Sequence, residues 1–476
     1  MDIDLNRTLS WTNALMAKRP SDAADLAMLS DLQGNILKGH GRDHTVHLFL
    51  RFDAAGAARV RVLLRALGHE IPSALDQLTG AQLFKATQRS AGLFTAVLLS
   101  ASGYRKLGAG DVLPAGDAFR AGMKQRQAAL ADPMPEQWEP TFAGDVDAMI
   151  LLADDDNTAL QQASANLQGR IQDLGGAAVV TGIELGHALR NKEDNQGIEH
   201  FGYVDGRSQP LMLDEDIAKE AANGGVDQWN PTIPLSQVLV PCPGGGLEVS
   251  LGSFFVFRKL EQNVRGFKAH EEALAQALQA QSGSNPGELA GAYVVGRFEN
   301  GTPTIKSAIE VPLNGKPVPN NFNYDTDAAG LRCPFAAHIR KTNPRDQTIN
   351  SNVHLMARRG IPFGERADDP NDGQIDNKPE GGVGLLFMAY QSSIEGQFEF
   401  TQKAWANNPS FHFNAPQQPV GIDPVIGQPD HASPQRYPLK YGVGPLSDPF
   451  DFSGFVRMKG GEYFFAPSRS FLQRLP

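Results

Sequence analysis

The order in which short apolar runs and amphipathic segments follow one another constrains this chain more than any other feature. Residues 45–53 alternate as a half-buried strand, 55–68 carry a helical period, and 92–100 and 147–153 again read as strands, the last ending at Asp154-Asp155-Asp156. Residues 157–174 are helical in pattern and 178–184 extended. This is the β-α-β-β-α-β order of the ferredoxin-like plan. A second round follows Pro241: strand 251–259, helix 262–281, strands 291–297 and 383–391, helix 393–407. The chain therefore reads as two α+β halves, 1–235 and 236–476, related by duplication and joined near 225–245. Residues 1–40 read as an irregular arm with a short helix near 10–18.

The second round is interrupted by a long insertion, about 303–382. Loops of that length in a compact unit usually carry function. Its stretch 365–382, rich in Gly, Pro and Asp, reads as a solvated loop. Two dense clusters of chemistry stand out. One is Phe201-Gly202-Tyr203-Val204-Asp205-Gly206-Arg207-Ser208-Gln209-Pro210. The other lies in the insertion: Cys333-Pro334-Phe335-Ala336-Ala337-His338-Ile339-Arg340-Lys341-Thr342-Asn343-Pro344-Arg345, then Met356-Ala357-Arg358-Arg359-Gly360-Ile361-Pro362-Phe363-Gly364. Together they offer an imidazole, a carboxylate and a guanidinium: a nitrogen to hold iron, a group to move a proton, and a fixed cation to stabilise charge on oxygen.

In this order the clusters resemble the dye-decolorizing peroxidases. Gly202-x-x-Asp205-Gly206 matches that family's GxxDG signature, His338 its AHIRxxNPR context and Arg358 its RRGIPFG context. Segments 31–38, 384–391 and 460–465 extend the likeness over most of the chain. The resemblance implies a dimeric α+β barrel of two ferredoxin-like modules with haem b between distal and proximal loops. It implies His338 as the proximal iron ligand, backed by an acceptor for its second nitrogen; Asp448 and Asp451 are the candidates in the sequence. Asp205 becomes the distal acid–base; a carboxyl with an ordinary pKa of about 3.9 works as a base most easily in acid. Arg358 becomes the distal cation. Adjacent residues of an extended segment point to opposite sides, so only one of Arg358 and Arg359 should face the iron. Leu385 and Phe387, alternating on one strand face, are expected to narrow access. Arg207 and Arg340 are expected to pair with the haem propionates.

The expected reactants are hydrogen peroxide and small aromatic donors, phenols or dyes. Donors too large to enter would be oxidised through Tyr203, Tyr390, Trp405 or Tyr463. A haem-handling or haem-storage protein with incidental peroxidase activity is the alternative. Net charge is −10 and no basic run occurs, so nucleic acid is not an expected partner. No apolar run is long enough to span a membrane. Met1-Asp2-Ile3-Asp4 begins no secretory signal. Pro241-Cys242-Pro243-Gly244-Gly245-Gly246 lacks the Lys-Ser/Thr of a phosphate loop. With two cysteines and no disulfide framework, a cytoplasmic monomer or homo-oligomer is expected.

Overall fold

The computed structural model describes residues 3–248, 250–428 and 433–475. Eight longer strands build its sheet. The N-terminal half contributes β1 (His44–Phe52), β2 (Phe94–Leu99), β3 (Ala148–Asp154) and β4 (Ala178–His187). The C-terminal half contributes β5 (Leu251–Gln262), β6 (Ile361–Phe363), β7 (Gly384–Gln391) and β8 (Val456–Ala466). Their order is β6-β7-β5-β8-β2-β3-β1-β4, antiparallel throughout. Numbered within its own half, each group of four runs 2-3-1-4, so one pattern occurs twice in a row. The two groups join at a single residue pair, Phe465 with Leu99. The free edges meet: a Cβ on Gly186 of β4 would lie 2.5 Å from Ile361 Cγ2 of β6. The sheet thus curls into a barrel.

Local chemistry explains the framework. Strands β2 and β3 are buried at every position, which is why they read as continuous apolar runs. Helix Asn157–Gln172 starts where the Asp156 carboxylate accepts from the Thr158 and Ala159 amides, so the Asp triplet is a turn and a cap. Helix Ala74–Thr87, which the pattern did not mark, starts with a Ser73–Asp76 capping box; only Ala74 and Leu78 of it are buried, too narrow an apolar face to show as a period. The N-terminal arm likewise holds a helix, Pro20–Asp31, beyond the short Trp11–Met16.

Two elements of the second round differ from expectation. Residues expected as a strand at 291–297 form helix Leu289–Val295, ended by Gly296 at φ +95. A short, wholly apolar run cannot be assigned to strand or helix by periodicity alone. The strand position it was expected to fill belongs to β6, far along the insertion. Residues 393–407 are helical, but wound as π-helix over Ile394–Glu399 and Thr401–Ala406. Such widened turns tend to mark functional segments, and this one sends Phe398, Thr401 and Gln402 into the cavity described next.

Candidate active site

One face of β5 opens the site. Arg258, Leu260 and Gln262, spaced by two, line a cavity. Their cross-strand partners Phe387, Leu385 and Val456 line it too. Arg258 is pinned there by both oxygens of the buried Asp132.

His338 begins the short helix His338–Thr342. That helix packs closely on Gly296: any Cβ there would sit 2.4 Å from Ile339 Cγ1. The His338 ring reaches the cavity and is 28% exposed, while its Nδ1 lies 2.9 Å from Asp423 Oδ2. Asp423 is fully buried, and its Oδ1 accepts from the Val425 and Ile426 amides at 2.8 and 2.9 Å. Burial opposes protonation of His338, but the Asp423 charge and hydrogen bond outweigh it and raise the pKa. The same contact holds the Asp423 carboxyl below its usual range despite burial. The acceptor behind His338 is therefore Asp423 and neither Asp448 nor Asp451. Asp423-Pro424 opens a tight turn whose amides demand a carboxylate; Asp451 instead accepts from the neighbouring Ser453 hydroxyl.

A second wall comes from the 201–210 loop. Asp205 is exposed to the cavity, and its side chain makes no hydrogen bond or ion pair among the described residues. Its own backbone is fixed: the amide donates to Gly197 O at 3.0 Å, and Gly206 follows at φ +75, where a side chain would be strained. Arg358 joins this wall, its Nη2 donating to Arg207 O at 2.9 Å and its amide to Gln209 Oε1 at 3.1 Å. Burial lowers the Arg358 pKa, and Asp205 counters that. Arg359 lies outside the lining; its guanidinium is used on the carbonyls of Asn35, Ile36 and Arg358.

The two arginines expected at the propionates fare differently. Arg207 lines the cavity but is already engaged by both oxygens of Glu220 and by Val318 O. Arg340 does not line it: its guanidinium is buried against Asp327 and the Cys333 carbonyl, between the Tyr324 and Phe335 rings. Two other arginines do line it without any carboxylate among the described residues. Arg297 is held by the Gly301 and Pro319 carbonyls, and Arg345 by the Asn320 and Phe322 carbonyls, the Asn320 amide oxygen and the Ser208 hydroxyl. Burial lowers their pKa values to about 10 and about 9.

A family description, Dyp-type peroxidase, C-terminal, matches residues 306–413. The chain is 46% identical to the multifunctional dye peroxidase DyP2 of an Amycolatopsis species, with 100% of both chains covered. It superposes on the DyP2 structure with a TM-score of 0.90 at 44% identity, covering 99% and 100% of the two chains. A DyP-type peroxidase from Anabaena gives a TM-score of 0.88 at 38% identity, covering 100% and 98%. The chain belongs to the dye-decolorizing peroxidase family.

Sequence reasoning about this peroxidase missed Asp423, Arg297 and Arg345. Each had a faint signal. Asp423 starts an Asp-Pro turn among apolar residues, Arg297 is a lone charge closing an apolar run, and Arg345 ends the same block that contains His338. The four aromatic residues expected to relay electrons, Tyr203, Tyr390, Trp405 and Tyr463, are all buried. Both cysteines of the peroxidase, Cys242 and Cys333, are buried and free. No described helix is long and apolar enough to cross a membrane.

Proposed function

We propose that this peroxidase holds haem b on His338 and uses Asp205 and Arg358 to turn hydrogen peroxide against phenolic or dye-like donors, one electron at a time. The observation that carries this reading is the donor set of one cavity: an imidazole backed by a buried carboxylate and, among the described residues, an unpartnered carboxylate beside a guanidinium and two buried cations lacking a counter-charge. A buried, uncompensated cation is costly, so Arg297 and Arg345 call for an anionic ligand; the two propionates of haem supply that charge. The apolar lining by Leu385, Phe387, Val425 and Ile426 suits a macrocycle.

When bound, haem supplies the redox-active iron. His338 offers the nitrogen not engaged by Asp423, and Asp423 keeps the other as N–H and makes the ring more basic. Asp205, free of side-chain partners among the described residues, takes a proton from one peroxide oxygen and returns it to the other. Arg358 stabilises the negative charge that develops as the O–O bond breaks. Leu385 and Phe387 limit what enters. We place the junction of the halves at 235/236, supported by the repeated strand order. A cytoplasmic setting is supported by the two free thiols.

The test is the absorption spectrum of haem-loaded protein. A Soret band that shifts with one equivalent of hydrogen peroxide and returns on adding a phenol is expected, and it should be lost in His338→Ala. A band indifferent to peroxide would instead mean haem handling.

A further inference from the structure

The loop that presents Asp205 is built around another carboxylate that the proposed chemistry leaves unused. Glu199 lines the same cavity. Its Oε2 accepts from the Phe201 amide at 2.8 Å and its Oε1 from the Tyr203 amide at 3.2 Å. The Gly202 amide donates to the Glu199 carbonyl, and the Glu199 amide to Tyr203 O. One residue thus ties up the whole first turn of the segment that ends at Asp205.

Gln262, reaching in from β5, donates its amide to Glu199 Oε2. The other end of that amide, Oε1, is buried without a donor among the described residues, and Gln262 is only 4% exposed. The Glu199–Gln262 pair is therefore one donor short. Other charges near Glu199 do not provide a counter-ion. Arg258 on β5 is held by Asp132, Arg366 by Asp368, and Lys268 by Glu271 and Glu299. His200, next in the chain, is kept neutral by burial. The charge that Glu199 does feel is that of Asp205. Burial first, and then Asp205, push its carboxyl up to about 7, against the hydrogen bonds that favour ionisation.

We propose that Glu199 is a positioning residue for Asp205: it fixes the loop's first turn and carries a proton so that Asp205 carries the charge. Two carboxyls facing one cavity do not both ionise freely. This rests on the reading of Asp205 as the acid–base.

The test follows the rate of reaction of full-length, haem-loaded protein with hydrogen peroxide against pH in wild type, Glu199→Gln and Asp205→Asn. An infrared titration of the carboxylic-acid C=O stretch accompanies it. Wild type is expected to show an inflection near pH 7 and an acid C=O band that persists to the same pH. Glu199→Gln should lose both, with its rate below that pH somewhat under wild type because one amide oxygen replaces two carboxyl acceptors; Asp205→Asn should be slow but keep the band. A purely structural role would lower the rate of Glu199→Gln at every pH and leave the inflection in place. An inflection or band surviving in Glu199→Gln, with Asp205→Asn slow, overturns this inference alone. A fully active Asp205→Asn overturns the acid–base reading beneath it.

Discussion

The two chemical walls of the cavity are built on opposite plans. On the histidine side everything is fixed by side chains: Asp423 is fully buried and takes hydrogen bonds from Val425, Ile426 and His338, while Thr342 Oγ1 donates to the His338 carbonyl at 2.8 Å. On the carboxylate side the fixing falls on the loop rather than on the reactive group: positive φ at Gly202, Gly206 and Ser208 and the Glu199 carboxylate shape the backbone, and the Asp205 carboxylate itself has no partner among the described residues. The difference suits the tasks proposed for His338 and Asp205. A group that holds a metal must resist rotation; one that accepts a proton and gives it back must not be committed to a neighbour.

This contrast can be broken by substitution. Asp205→Asn should slow the reaction with peroxide by about 10²–10⁴-fold, with haem content unchanged, as read by stopped-flow absorbance. A smaller loss would mean that the unengaged carboxylate is not the proton carrier. Arg340→Met should cost about 3–5 kcal/mol of stability by stranding Asp327, yet leave haem affinity near wild type; denaturant unfolding and haem titration separate the two. Asp423→Asn should weaken haem binding by about 10–100-fold, measured by Soret titration, because the imidazole loses the acceptor that orients it. If its affinity is unchanged, the histidine wall is not over-determined in the way described.

The smallest expected effect is on the pH dependence of stability. The folded Glu199 carboxyl holds its proton to about pH 7, above its ordinary value of 4.5. The folded state thus binds that proton more tightly than the unfolded chain. The resulting stability is fully present below about pH 4.5 and is lost as pH rises through about 7. Between pH 5 and pH 8 the melting temperature of Glu199→Gln should therefore gain on wild type by about a few degrees.

What the sequence disclosed divides along physical lines. Strands β1 to β4, β5 and β7 were legible as alternating or continuous apolar runs, and helices Ala57–Glu70, Asn157–Gln172 and Val264–Ser282 by their period, whereas helix Ala74–Thr87 and strand β8 were not read. The strand at 361–363 was not, since three residues cannot show a period and a buried helix stood where a strand was expected. His338, Asp205 and Arg358 stood out because motifs are local. Asp423 lies 85 residues from His338 and Arg297 lies 89 from Ser208, so only the fold brings these partners together. Arg340 was expected in the cavity and Arg345 was passed over, although five positions separate them. What decides between them is that Asp327 sits beside one and not the other.

The uncompensated pair Arg297 and Arg345 has a consequence for assembly. Ligand that binds only the folded chain stabilises it in proportion to the logarithm of its concentration. On the proposed reading this wall answers to carboxylate and not to metal. Metal-free porphyrin with both acid arms should raise the melting temperature, and its dimethyl ester should not. The acid groups at the edge of the porphyrin would then contribute to binding independently of the atom at its centre.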